Sequence, residues 1–155
     1  MGGKEVATMS IDEQRFAELT SFAIGLPITR VWLGDYTALY IEIGPLTKAY
    51  CQSGRPKAEH TAYLGFQWVL ESGAGREFSS TDPDAASRIV TAISGERIRC
   101  VTASPSLELI LSLHSGRLLR SVASEPDEPE WSLYFPAGSV VYAHEGSLVL
   151  ESVSV

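Results

Sequence analysis

Short runs in which apolar and polar residues alternate recur along the whole chain. Leu39, Ile41 and Ile43 alternate with Tyr40 and Glu42, and Leu107, Leu109, Leu111 and Leu113 alternate with Glu108, Ile110 and Ser112. Successive side chains of a strand point to opposite faces, so this period of two predicts strands with one buried face. Ala62, Leu64, Phe66, Trp68 and Leu70 share one face of a further run, against Thr61, Tyr63, Gln67 and Glu71 on the other. The pattern predicts strands near 28–34, 37–44, 46–52 and 61–71, then near 97–104, 106–114, 117–123, 130–135, 139–143 and 147–153. Intervals rich in Pro, Gly and Asp at 53–57, 72–75, 115–116, 125–129 and 136–138 read as the turns between them.

Two segments carry helical spacing instead. Ser10 and Glu13 form a capping-box pattern, in which two side chains satisfy free amides at a helix start. Ile11, Phe16, Leu19, Phe22 and Ala23 follow, and Gly25 with Pro27 ends the run. In the second segment Asp82 is placed to cap and Pro83 suits the first helical position, before Ile89, Val90, Ile93 and a closing Gly95.

Shifted by 70 positions, the chain partly overlays itself: Gly25, Ile28, Val31 and Leu39 fall on Gly95, Ile98, Val101 and Leu109. At a shift of 63, Trp68-x-Leu70-x-x-x-Ala74-Gly75 falls on Trp131-x-Leu133-x-x-x-Ala137-Gly138. The expected fold is therefore α+β and β-rich, one domain over 1–155. Two tandem helix-plus-β-meander repeats, 11–80 and 81–155, would share one core about a pseudo-twofold axis. Trp68 and Trp131 are expected in that core. The closing strand pair has no evident counterpart in the first repeat, where Arg76–Thr81 reads as a passage into the second helix.

Composition narrows the function classes. A chain of 155 residues, 45% of them hydrophobic, is long enough to bury a core. Twelve basic against 19 acidic side chains give a formal charge of −7, which disfavours nucleic acid and anionic membranes and suits a basic partner. No apolar run follows Lys4 within Met1–Ser10 and no stretch is long enough to span a bilayer, so a cytoplasmic protein is expected. Cys51 and Cys100 lack any C-x-x-C spacing and read as reduced thiols.

Chemistry-bearing motifs are scarce. His60, His114 and His144 sit in no nucleophile context, and Ala137-Gly138-Ser139 lacks the frame of a nucleophile elbow. No ligand pair has metal spacing, so no metal, cofactor or enzymatic activity is expected. Gly73-Ala74-Gly75 lacks the lysine of a phosphate loop and reads as a turn. Two features suit a partner surface. Glu125, Asp127, Glu128 and Glu130 form an acidic loop held extended by Pro126 and Pro129. Trp32 and Tyr36 are aromatic where the second repeat has Thr102 and Ser106.

The runs GFQWVLES, SSTD, ISGERI, LELILSLHSGRLL and EWSLYFPAGSVVYAHEGSLVLES, from Gly65 to the carboxyl end, carry a resemblance. The chain resembles small bacterial domains of unknown function with a W-R-L-E strand, a G-S-x-S-D turn, an L-x-G-x-x-I/V strand and a closing W-x-L-x-x-P-x-G hairpin. It departs from that pattern at Val69, in place of Arg, and at Ser79, in place of Gly. Some such domains look like immunity proteins, which neutralise a toxin partner. The resemblance implies a protein-binding role and no catalytic residue.

The reading that follows is a non-enzymatic binding module holding a basic protein through Glu125, Asp127, Glu128, Glu130, Trp32 and Tyr36. The alternative is a small-molecule binder with a cavity between the repeats, lined by Tyr40, Tyr63 and Tyr134. A homodimer joined through exposed strand edges is a third.

Overall fold

The computed structural model describes residues 5–34, 37–47, 57–65, 67–122 and 130–154. Its first element is a strand that periodicity did not disclose, β1 (Glu5–Ile11). Ser10 and Ile11 are taken up by pairing with Val149 and Leu148, so Ser10 is not free to cap a helix. Asp12 caps instead, accepting from the Arg15 amide at 2.8 Å, and α1 spans Glu13–Thr20. A 3-10 turn at Ser21–Ala23 and Gly25, with φ +84°, lead into a meander of β2 (Ile28–Leu33), β3 (Leu39–Thr47) and β4 (Lys57–Leu64).

The run expected as one strand over 61–71 is two. β4 ends at Leu64, and β5 (Trp68–Ser72) opens a hairpin with β6 (Gly75–Ser79). The passage expected over Arg76–Thr81 is thus partly strand. Asp82 does not cap the next helix: it accepts from the Ser79 amide at 2.8 Å and pairs with Arg76, and α2 begins later, at Ala85–Ile93. Gly95, also at φ +84°, leads to β7 (Ile98–Ala103), β8 (Leu109–Leu113) and β9 (Leu118–Ser121). The chain closes with β10 (Trp131–Tyr134), β11 (Val140–His144) and β12 (Ser147–Ser154). The fold is β-rich α+β with two antiparallel sheets. The expected strand over 46–52 overlaps the described residues only at Leu46 and Thr47, which end β3.

The larger sheet runs β1-β12-β11-β10-β4-β3-β2 and the smaller β6-β5-β9-β8-β7. Consecutive β4 and β5 therefore lie in different sheets. The β5–β6 hairpin extends the meander of β7, β8 and β9, while β10 and β11 extend that of β2, β3 and β4. One apolar cluster joins both sheets: Leu39, Ile41, Ile43 and Leu64 from the larger, Leu109, Leu111, Leu119 and Leu70 from the smaller. Phe16 of α1 and Ile89 and Ile93 of α2 complete it, with α1 packed against β7 and α2 against β2. At about 25 cal/mol per Å² this burial is the main favourable contribution to folding.

Between the halves, Gly25 donates to the Ile98 carbonyl at 2.7 Å and Gly95 to that of Ile28 at 2.8 Å. Ile28 donates to Glu96 at 2.7 Å and Ile98 to Leu26 at 2.9 Å, around an antiparallel bridge of Pro27 with Arg97. Trp68 and Trp131 are almost fully buried. The Trp68 indole donates to the Thr37 carbonyl at 2.8 Å, and that of Trp131 to Leu107 at 2.7 Å.

Candidate functional site

Because β2, β3 and β4 send Val31, Ile41 and Ala62 into the core, their intervening residues form the outer face of the larger sheet. Register places these side chains in rows. Trp32 opposes Tyr40, Tyr40 opposes Tyr63, Tyr63 opposes Ser132, and Ser132 opposes Tyr142. Trp32 and Tyr40 stack with centroids 4.0 Å apart and planes within 4°. Tyr63 continues the row, 4.9 Å from Tyr40. Gly34 makes room for this stack, since a Cβ there would lie 2.9 Å from Tyr40 Cε2. Trp32 is 40% exposed, and Tyr134, one pleat along, is 42% exposed.

Glu130 lies on the same face as Ser132 and Tyr134, because the three alternate along one strand direction. The Gly65 amide donates to the Glu130 carbonyl at 2.8 Å, and the glutamate side chain lies over the glycine. A Cβ at Gly65 would stand 2.6 Å from Glu130 Oε2 and 2.7 Å from Glu130 Cβ. Trp32 and Glu130, singled out for different reasons in the sequence, thus share one face. They are separated by β3 and β4, about 14 Å at ordinary strand spacing. Tyr36, Glu125, Asp127 and Glu128 lie outside the described residues, as does Cys51.

Two residues along each strand, a second row runs on the same face, in which Arg30 opposes Glu42, Glu42 opposes Thr61, and Thr61 opposes Tyr134. Glu42 is almost fully buried; its Oε1 accepts from the Ala58 amide at 3.4 Å, and its Oε2 lies 3.6 Å from Arg30 Nε. Among the described residues neither Glu42 Oε2 nor Thr61 Oγ1, both buried, has a hydrogen-bond partner. A buried carboxylate is costly unless neutralised, and Arg30 is the cation that neutralises it.

The outer face of the smaller sheet has different chemistry. Its central row is Thr102, Ile110, Arg120, Val69 and Ser79. Arg120 bonds Glu71 at 2.7 Å and Glu108 at 3.2 Å, and the Glu71 bond leads in raising its already high pKa, against the opposing effect of burial. Arg120 is thus held between two carboxylates. A hollow of about 420 Å³ beside α2 has two cations in its lining, but Arg117 pairs with Glu77 at 2.9 Å and Arg88 with Asp84 at 3.7 Å. Among the described residues no group of three or more His, Cys, Asp or Glu is placed to hold a metal ion.

The three tyrosines expected to line a cavity between the repeats stand elsewhere: Tyr40, Tyr63 and Tyr134 are on the outer face, and apolar side chains of both sheets fill the space between. His60 is on the core side, stacked on Phe22 at 3.4 Å and edge-on to Phe135. Among the described residues no helix is long and apolar enough to cross a membrane. No family model matches the chain, and no curated protein and no solved structure matches it.

Of the residues singled out in the sequence, Trp32 and Glu130 lie on this face; Tyr142 and the row itself were not anticipated. Alternation told which residues of β3 face outward. Ser132 and Tyr142 join the row only through the pairing of β10 with β4, a non-local contact that alternation does not encode.

Proposed function

We propose that this chain is a non-enzymatic cytoplasmic binding protein of bacterial type that takes a basic protein partner on the outer face of its larger sheet. The observation that carries the reading is the row in which Trp32 stacks on Tyr40 and Tyr63 leans against Tyr40, with the Glu130 carboxylate on the same face. Aromatic rings present large apolar area with few rotatable bonds, and they attract lysine and arginine cations through their faces. A net charge of −7 adds long-range attraction for a basic partner and increases association rate. Among the described residues the smaller sheet has no such aromatic row, and Arg120 on its outer face is engaged by Glu71 and Glu108. An immunity-type role, holding a basic toxin domain, is the specific form of this proposal, and it rests on the sequence resemblance.

The same proposal includes tandem architecture, two repeated units about a pseudo-twofold axis that exchange their hairpins. It is supported by hydrogen bonds recurring at a shift of 70: Gly25 to Ile98 with Gly95 to Ile28, and an indole acceptor at Thr37 with another at Leu107. Under this reading the two outer faces were once alike, and only one has become aromatic.

The test is titration of the protein with the product of the neighbouring reading frame, alongside unrelated basic proteins. Trp32→Ala and Tyr63→Ala are expected to weaken binding roughly tenfold or more each. Glu130→Gln slows association and flattens the salt dependence. Ile110→Ala, on the other outer face, leaves affinity unchanged. Binding indifferent to the Trp32 and Tyr63 changes would remove the proposed face.

A further inference from the structure

We infer that β1 is a self-pairing edge, through which two copies of the chain join antiparallel into one continuous sheet. β1 pairs residue for residue with β12 over Glu5–Ile11 without a register shift, and among the described residues no strand covers its other side. Alternate amides and carbonyls of a flat edge point outward and offer a ladder to another strand.

The other edges are guarded. β2 is bulged between Ile28 and Arg30, and its entry is bridged to that of β7 by Pro27 and Arg97. β7 is bulged between Ile98 and Cys100 and carries Arg99. The β5–β6 pair is bulged between Leu70 and Glu71, and β6 carries Arg76 and Glu77. β1 has no bulge, no proline and no charge from Val6 to Ile11, while Val6 is 56% and Met9 59% exposed.

Charge pattern selects a second copy and its direction. Glu5 is the only charged residue of β1 and stands at one end. Parallel pairing would set Glu5 beside Glu5; antiparallel pairing centred on Thr8 sets it opposite Ile11. That register opposes Thr8 to Thr8, Val6 to Ser10 and Ala7 to Met9, a neutral ladder with a favourable threonine pair at its centre. The symmetry is twofold and closed, so it yields dimers and not fibres. β1 and β2 are opposite ends of the larger sheet, so the dimer leaves both aromatic faces open.

The inference is independent of the partner-binding face and has the opposite response to salt. Two copies of charge −7 repel, so added salt strengthens self-association while weakening capture of a basic partner. Sedimentation equilibrium over the micromolar range is expected to show a monomer–dimer equilibrium. Thr8→Lys and Thr8→Glu, each with an unchanged circular dichroism spectrum, weaken the dimer roughly tenfold. Mixing the two variants restores association as a heterodimer, which misfolding would not do. A wild-type chain that is monomeric throughout, or a dimer untouched by either charge, would overturn the inference.

Discussion

Trp68, which begins β5 in the smaller sheet, donates its indole N–H at 2.8 Å to the carbonyl of Thr37, which lies between β2 and β3 of the larger sheet. Trp131 does the reverse, from β10 in the larger sheet to Leu107, ahead of β8 in the smaller. Each indole fastens one sheet to the other while filling the core between them. Trp68→Phe and Trp131→Phe would each remove a donor from a carbonyl and leave part of a ring's volume empty. Each is expected to cost about 2–3 kcal/mol. If the halves are tandem copies, the two losses are similar, as read by urea unfolding. One large and one negligible loss would argue against equivalent roles.

Thr61 presents a second case, in which a polar atom gains nothing from its position. Its side chain is buried and Oγ1 has no hydrogen-bond partner among the described residues. Valine has the same branched shape, suits a strand and carries no hydroxyl to desolvate. Thr61→Val is expected to stabilise the protein by about 1 kcal/mol, seen as a higher urea midpoint at unchanged slope. A loss of stability would mean that the hydroxyl has a partner in solution, with bound water the first candidate.

How much of this was legible beforehand depends on whether the cause was local. Leu39, Ile41 and Ile43 announced a half-buried strand, and Gly25 and Gly95 announced the helix ends, because each signal lies within its own segment. The break at Gly65 gave no sign: Ala62, Leu64, Trp68 and Leu70 keep the same parity and are all buried, although two belong to one sheet and two to the other. β1 was invisible because VATMSI lacks clear alternation and is held by β12, more than 130 positions away. That same pairing took Ser10 from the helix and left capping to Asp12. The candidate face was half legible, with outward residues read from alternation and their alignment across β2, β3, β4 and β10 supplied only by pairing.

His60 gives the fold a response to acid. Burial against Phe22 and Phe135 lowers its pKa from the ordinary imidazole value, and Glu59 only partly offsets this. The unfolded chain, with an imidazole pKa of about 6.5, therefore takes up the proton before the folded one does. His60 leaves stability undiminished above that value. As pH falls from there through the lowered folded pKa, stability declines, and below it this group causes no further loss. His60→Phe preserves the aromatic packing and removes the proton, so its urea midpoint should fall less than that of wild type in this window. Parallel pH profiles for the two proteins would rule out His60 as the source.

Two glycines under the aromatic face should differ in what they tolerate. At Gly34 an added methyl meets the edge of the Tyr40 ring at 2.9 Å, a side chain able to swing outward. At Gly65 it meets Glu130 at Cβ, 2.7 Å away, and the backbone oxygen at 3.1 Å, and neither moves without shifting the start of β10. Gly65→Ala is thus expected to cost about 1–3 kcal/mol and Gly34→Ala well under that. Their effects on the face separate in the same experiment. Trp32 is the exposed tryptophan, with Trp68 and Trp131 buried, so quenching by acrylamide reports chiefly on the Trp32–Tyr40 stack. Gly34→Ala should raise that quenching with little change in stability, whereas Gly65→Ala should lower stability with little change in quenching. The reverse pattern would mean that the stack is held by something other than the space Gly34 leaves for Tyr40.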